Sequence, residues 1–122
     1  MSEGPRSRVF ETPAGVALCT LDSLADPGAR NFVLQIDEAF FHGFLVRTGE
    51  SVRGYVDRCP HQGLPLAQKL DGYLTPDARL ISCSWHGALF RIEDGACVGG
   101  PCSGARLTPW PVTVQNGVVR TA

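Results

Sequence analysis

Two short segments, Cys59-Pro60-His61-Gln62-Gly63 and Cys83-Ser84-Trp85-His86-Gly87, share a plan that limits what the rest of the chain can be. Each follows a run of strand-forming residues, and each supplies one thiol, one imidazole and a glycine. Thiolate and imidazole together are ligands for borderline to soft metals such as zinc and iron. Loops at strand ends are where an otherwise stiff sheet can present such groups convergently. The pattern predicts four ligands, Cys59, His61, Cys83 and His86, delivered by two loops of a β framework.

The remaining sequence supplies that framework. Glycine (14) and proline (9) punctuate short runs of β-branched and aromatic residues, the signature of an all-β chain. Strands are predicted over 16–21, 31–36, 40–48 and 52–58, with turns at Asp26-Pro27-Gly28, Asp37-Glu38 and Thr48-Gly49-Glu50. The last two strands should form a hairpin. In 40–48 both alternating sets are apolar, Phe40, Phe44 and Val46 against Phe41 and Leu45, which suits a strand covered on both faces. An antiparallel sandwich or barrel follows. Segments 79–82 and 88–92 flank the second box, and 110–115 should pair with 118–121 across Asn116-Gly117, residues that tolerate the positive φ of a type I′ turn. No internal repeat, helix-period stretch or linker interrupts the 122 residues, so 1–122 reads as one domain.

Composition excludes several classes. Net charge is -1, with ten arginines and one lysine scattered among twelve acids, so a phosphate-neutralising footprint is absent and no nucleic-acid partner is expected. No segment approaches the roughly 20 apolar residues that cross a bilayer, and residues 1–13 are polar, unlike a signal peptide; no membrane association and a cytoplasmic location are expected. Five cysteines in such a chain suggest thiols or metal ligands rather than a disulfide framework. Cys19, Cys97 and Cys102 are read as small apolar fillers, His42 as a core or barrel-mouth histidine, and Trp85 as a shield against water.

Two Cys and two His could surround a single tetrahedral Zn²⁺. Common zinc modules group like ligands, whereas each box here alternates them, so each loop can span two metal ions. A two-iron cluster with both Cys on one iron and both His on the other uses that alternation.

At these boxes the chain resembles the Rieske family: Cys59, His61 and Gly63 in the first, Cys83, His86 and Gly87 in the second, and Gly100-Pro101 as the family's proline loop. The resemblance implies a [2Fe-2S] cluster in a small subdomain formed by loops at about 59–66 and 83–90 with the proline loop at about 99–102. It places Cys59 and Cys83 on the inner iron and His61 and His86 on the outer one. Leu64 and Trp85 stand where respiratory members carry disulfide-forming cysteines, and Ala88 and Phe90 where they carry hydroxyl donors toward sulfur. Fewer donors should set the potential at the low end of the Rieske range, about -150 mV.

The resemblance further implies a one-electron carrier of the ferredoxin subgroup, working between a flavin-dependent reductase and a terminal oxygenase or reductase, and not itself an enzyme. A mononuclear oxygenase iron takes two His and a carboxylate, and His42 is the one histidine outside the boxes. Two other readings stand beside it: the small subunit of an assimilatory nitrite reductase-like complex, and a zinc-stabilised interaction module. Electrons should leave past His61 and His86, across a rim of Gln62, Leu64, Pro65, Leu66, Trp85 and Pro101. The 21 residues between His61 and Cys83 exceed the family's usual spacing, and the excess is placed in a surface turn over 71–77.

Overall fold

The computed structural model describes residues 8–58, 66, 71–83, 87–101 and 104–122. Among them run β1 (Arg8–Val9), β2 (Ala17–Thr20), β3 (Gly28–Ile36), β4 (Ala39–Thr48), β5 (Ser51–Val56), β6 (Leu80–Ser82), β7 (Leu89–Arg91), β8 (Cys97–Gly99), β9 (Val112–Gln115) and β10 (Val118–Thr121). The one helical element among these residues is a 3-10 turn, Leu21–Ser23.

Three sheets result. In the central one β4 pairs antiparallel with β3 along nearly its whole length, and its other edge is shared by β1 and β5. A second sheet has the order β2-β10-β9, and a third β6-β7-β8. β4 and β5 form the expected hairpin, Thr48 facing Ser51. The β9–β10 hairpin turns at Asn116 and Gly117, both at positive φ (53° and 77°) as a type I′ turn requires.

β4 faces a core on each side, as its doubly apolar pattern predicts. Phe44 and Val46 enter a core shared with Tyr55, Tyr73, Ile81, Ala88 and Phe90, which joins the central and third sheets. Phe41 and Leu45 enter the other, with Phe32, Val56, Trp110 and Val119, which joins the central and second sheets. Trp110 is 1% exposed; its ring lies 4.7 Å from that of Phe41, and its Nε1 donates to Thr12 Oγ1 at 2.9 Å. It lies over Gly43, where an added Cβ would sit 2.8 Å from Trp110 Cε3 and 2.6 Å from Phe41 Cε2.

The strand limits differ from expectation where propensity and pairing disagree. β3 begins at Gly28 rather than 31, because its ladder with β4 continues to Gly28 opposite Arg47 whatever the residue type. β5 stops at Val56: Asp57 still donates its amide to His42 O at 2.9 Å, but the chain then bends and Arg58 N–H turns back to Val56 O at 2.9 Å. β1 and β8 were not expected: runs of two and three residues are too short to show a period.

The surface turn over 71–77 requires correction. Asp71, Gly72, Pro76 and Asp77 are exposed as expected, and residues 75–78 form a tight turn, with Ala78 N–H donating to Thr75 O at 2.8 Å and Thr75 Oγ1 to Asp77 Oδ1 at 2.6 Å, but the segment is not solvent-facing throughout. Tyr73, just before it, is 2% exposed and stacks on Phe44 at 4.1 Å, because an aromatic ring gains more from burial than the flanking glycine and proline gain from solvent.

Candidate metal centre

The second box begins at Cys83, just after β6, and ends at Gly87, two residues before β7. Strand register sets Ser82 opposite Leu89, with Cys83 N–H donating to Ala88 O at 2.8 Å and Gly87 N–H to Cys83 O at 3.0 Å. Cys83 is 1% exposed, lies in the core with Ile81 and Phe90, and is not in a disulfide. Its sulfur is thus held at a strand end with water excluded behind it. Ala88 and Phe90, both 0% exposed, pack in the same core as Cys83 and offer it no side-chain hydroxyl.

The proline loop is carried on β8, whose Gly99 faces Leu89 of β7. Gly100 has φ +79°, and a Cβ there would lie 2.8 Å from Ala88 Cα and from Gly87 O. Only glycine lets this backbone rest directly on the second box. Pro101 is exposed.

The first box leaves β5 at its last strand residue, Val56. The carboxylate of Asp57, a residue 5% exposed, accepts three hydrogen bonds from described residues: from Leu66 N–H on Oδ1 at 2.9 Å, and from Tyr73 Oη at 2.8 Å and Asn31 Nδ2 at 3.3 Å on Oδ2. Asn31 Nδ2 also donates to Tyr73 Oη at 2.7 Å. Burial, with Asp57 beside it, drives the Tyr73 phenol well above its ordinary pKa, so it stays protonated as a donor.

Of the expected ligands, Cys83 is placed as described, while Cys59, His61 and His86 lie outside the described residues, as do Gln62, Leu64, Pro65, Trp85 and Cys102. Elsewhere among the described residues no three His, Cys, Asp or Glu side chains converge as a metal-holding group. His42 is half-buried on β4; burial and the charge of Arg8 lower its pKa against the opposing pull of Asp57. Cys19 is half-buried against the second core and not in a disulfide, in line with the filler reading.

Two expectations fail. Cys97 is half-buried and disulfide-bonded, not a thiol used as apolar filler. Leu66 is 0% exposed in the core with Tyr73 and Phe90, so it is no part of a docking rim; an apolar residue at the end of a metal loop is as well suited to anchoring the loop as to meeting a partner. The trio Asp57, Tyr73 and Asn31 was missed. Its one sequence signal is an acid two positions before the first thiol, at the end of an apolar strand.

A β fold with a thiol buried at a strand end, beneath a glycine-proline loop, places one of the four expected ligands, Cys83, where a metal centre could use it. The chain belongs to the Rieske [2Fe-2S] domain family, whose family model matches residues 16–116. The buried thiol of Cys83, the one described residue of the expected two-thiolate, two-imidazole set, fits that cluster. Among solved structures, the fold is similar to the ferredoxin of carbazole 1,9a-dioxygenase from Nocardioides aromaticivorans IC177, with 22% identity, 88% of this chain and 98% of that one covered, and a TM-score of 0.66. It is similar too to a Sphingomonas yanoikuyae B1 ferredoxin, with 24% identity, 87% and 95% covered, and a TM-score of 0.64. The terminal oxygenase of the Nocardioides system contains the same fold over 30% of its length, with 24% identity, 92% of this chain covered and a TM-score of 0.68. No curated protein matches the chain.

Proposed function

We propose that residues 1–122 form a single electron-carrier domain in which Cys59, His61, Cys83 and His86 hold the [2Fe-2S] cluster, and that it acts as a ferredoxin in the cytoplasm. It takes electrons from a flavin-dependent reductase and delivers them to a terminal oxygenase. The observation that supports this most is the buried thiol of Cys83 at a strand end, its amide bonded to Ala88, with Gly100 laid over the same segment. The ferredoxins named above, with 98% and 95% of their lengths covered, support a stand-alone carrier, and another similar structure is a complex of reduced oxygenase and oxidised ferredoxin.

When bound, the cluster supplies one-electron storage and release. The protein's own part is to fix and shelter it: β6 and β7 set the position of Cys83, Ala88 and Phe90 close the space behind the sulfur, and Gly100 allows the proline loop to lie over the box. Exposed Val98 (50%) on β8 and Pro101 on the loop that follows offer an apolar edge with few charges, suited to a small transient interface.

Metal and sulfide analysis of anaerobically purified protein tests the reading. About two irons and two labile sulfides per chain are expected. One zinc and no sulfide would end it, and a large subunit that co-purifies stoichiometrically would favour the nitrite reductase-like alternative. His86→Ala should abolish the visible spectrum, and His42→Ala should leave it unchanged.

A further inference from the structure

We propose that Asp57 is a positioning residue that sets the span of the first ligand loop, acting with Tyr73 and Asn31 as its support. The inference rests on Cys59 and His61 being ligands.

Asp57 stands immediately after β5, and Leu66, whose amide it binds, is nine positions further on. One carboxylate thus ties together the two ends of the segment that carries Cys59 and His61. The tie is itself anchored. Tyr73 donates to the other carboxylate oxygen and stacks on Phe44 of β4 at an interplanar angle of 7°, and Asn31 of β3 donates to both Asp57 and Tyr73. Asn31 also donates its backbone N–H to Asp71 Oδ1 at 2.7 Å, which fastens the chain on the far side of the loop to the same strand. Four separate stretches, around 31, 57, 66 and 71–73, meet at this point.

Stability alone does not account for such a group. Taking a carboxylate out of water costs several kcal/mol, and an apolar replacement of like volume is often no less stable. What an apolar residue cannot do is hold the Leu66 amide, a tyrosine hydroxyl and an asparagine amide in fixed directions at once. Groups that orient metal ligands in this way commonly alter metal affinity about 10- to 100-fold when lost.

The test compares Asp57→Asn, Asp57→Ala and Tyr73→Phe with Tyr55→Phe, all as loaded protein. Tyr55 is the matched control: its hydroxyl is buried in the same core and donates to Ile92 O at 2.6 Å, and among the described residues it has no bond to Asp57, Leu66 or Asn31. Readouts are the electron paramagnetic resonance spectrum after reduction, the midpoint potential, the half-life of the visible spectrum under an iron chelator, and thermal unfolding. Asp57→Asn should change the resonance spectrum and potential and shorten the chelator half-life about tenfold or more. Asp57→Ala should do so further, and Tyr73→Phe less. Tyr55→Phe should lower the unfolding temperature and leave the other three in place. A wild-type spectrum and half-life in Asp57→Asn, or equal shifts in Tyr55→Phe and Tyr73→Phe, would overturn the proposal. If Asp57→Ala does not fold, Tyr73→Phe against Tyr55→Phe still decides it. Wild-type protein without iron and sulfide would overturn the ligand assignment and this inference together, whereas normally loaded wild type with unmoved variants overturns this inference alone.

Discussion

Among the described residues each half of the molecule buries one polar side chain, tyrosines aside, and the two are held differently. On the side of the second sheet, Thr121 (2% exposed) donates to Pro13 O at 2.6 Å and accepts from Val16 N–H at 2.8 Å. A neutral hydroxyl and one neighbouring main-chain segment suffice there. On the side of the third sheet, Asp57 brings a charge, and its partners are two side chains and one amide from three remote stretches. The difference follows from how much regular ladder each half contains. The second sheet is built of four-residue strands around one tight hairpin, while the third has three-residue strands that surround box and proline loop. Where ladder is short, side chains have to define geometry instead, and a charged group gives the strongest directional hold.

The largest test of this contrast is Trp110→Ala, which empties the middle of the ladder-rich half. A loss of about 3–5 kcal/mol is expected, read by denaturant unfolding, and the whole chain should unfold in one transition because β4 belongs to both cores. Unchanged stability would mean that this half does not depend on its large aromatic plug.

Leu66→Ala probes the other half at its loop anchor. About 2–5 kcal/mol should be lost, and the visible spectrum should decay faster under chelation than in wild type. A variant that keeps its stability and its spectrum but slows electron uptake from the reductase would restore Leu66 to the docking rim.

Gly100→Ala combines a positive φ with contact on the Ala88 backbone, and about 1–3 kcal/mol should be lost. The loop would have to lift from the second box, so the midpoint potential should move as well. A stability change with an unmoved potential would make the close approach purely structural.

His42 gives the smallest effect. Its folded-state pKa lies below the ordinary histidine value of about 6.5, chiefly through burial and then through Arg8. The unfolded chain therefore takes up the proton first, and stability should fall slightly as pH drops below about 6.5. His42→Gln should flatten that decline in pH-dependent unfolding curves without altering the visible spectrum. An equal decline in the variant would assign it to other groups.

Much of this architecture was legible because its signals are local. Asn116-Gly117 and the two apolar parities of β4 each carry their own instruction. What could not be read depends on partners distant in sequence. Asp57 meets Leu66 across nine positions, Tyr73 across 16 and Asn31 across 26, and no periodicity records such encounters. Tyr73 was hidden by its neighbours, since Asp71, Gly72, Pro76 and Asp77 read as solvent-facing turn residues. The disulfide at Cys97 was hidden because spacing alone does not tell a bonded cysteine from a packed one.

The gap over Gly43 has a consequence for how the chain finds its alignment. Polarity normally fixes strand register, because a one-residue slip turns the apolar set toward water. β4 lacks that safeguard: with Phe41 and Leu45 on one face and Phe44 and Val46 on the other, a slip exchanges apolar for apolar. Shape takes over the task. On β4 the room for the Trp110 ring is at Gly43, so a slipped β4 would drive His42 or Phe44 into it. Gly43 thus acts as a keyway that admits one alignment of β4 and rejects its neighbours, and filling it would leave the chain with competing registers rather than merely a strained one.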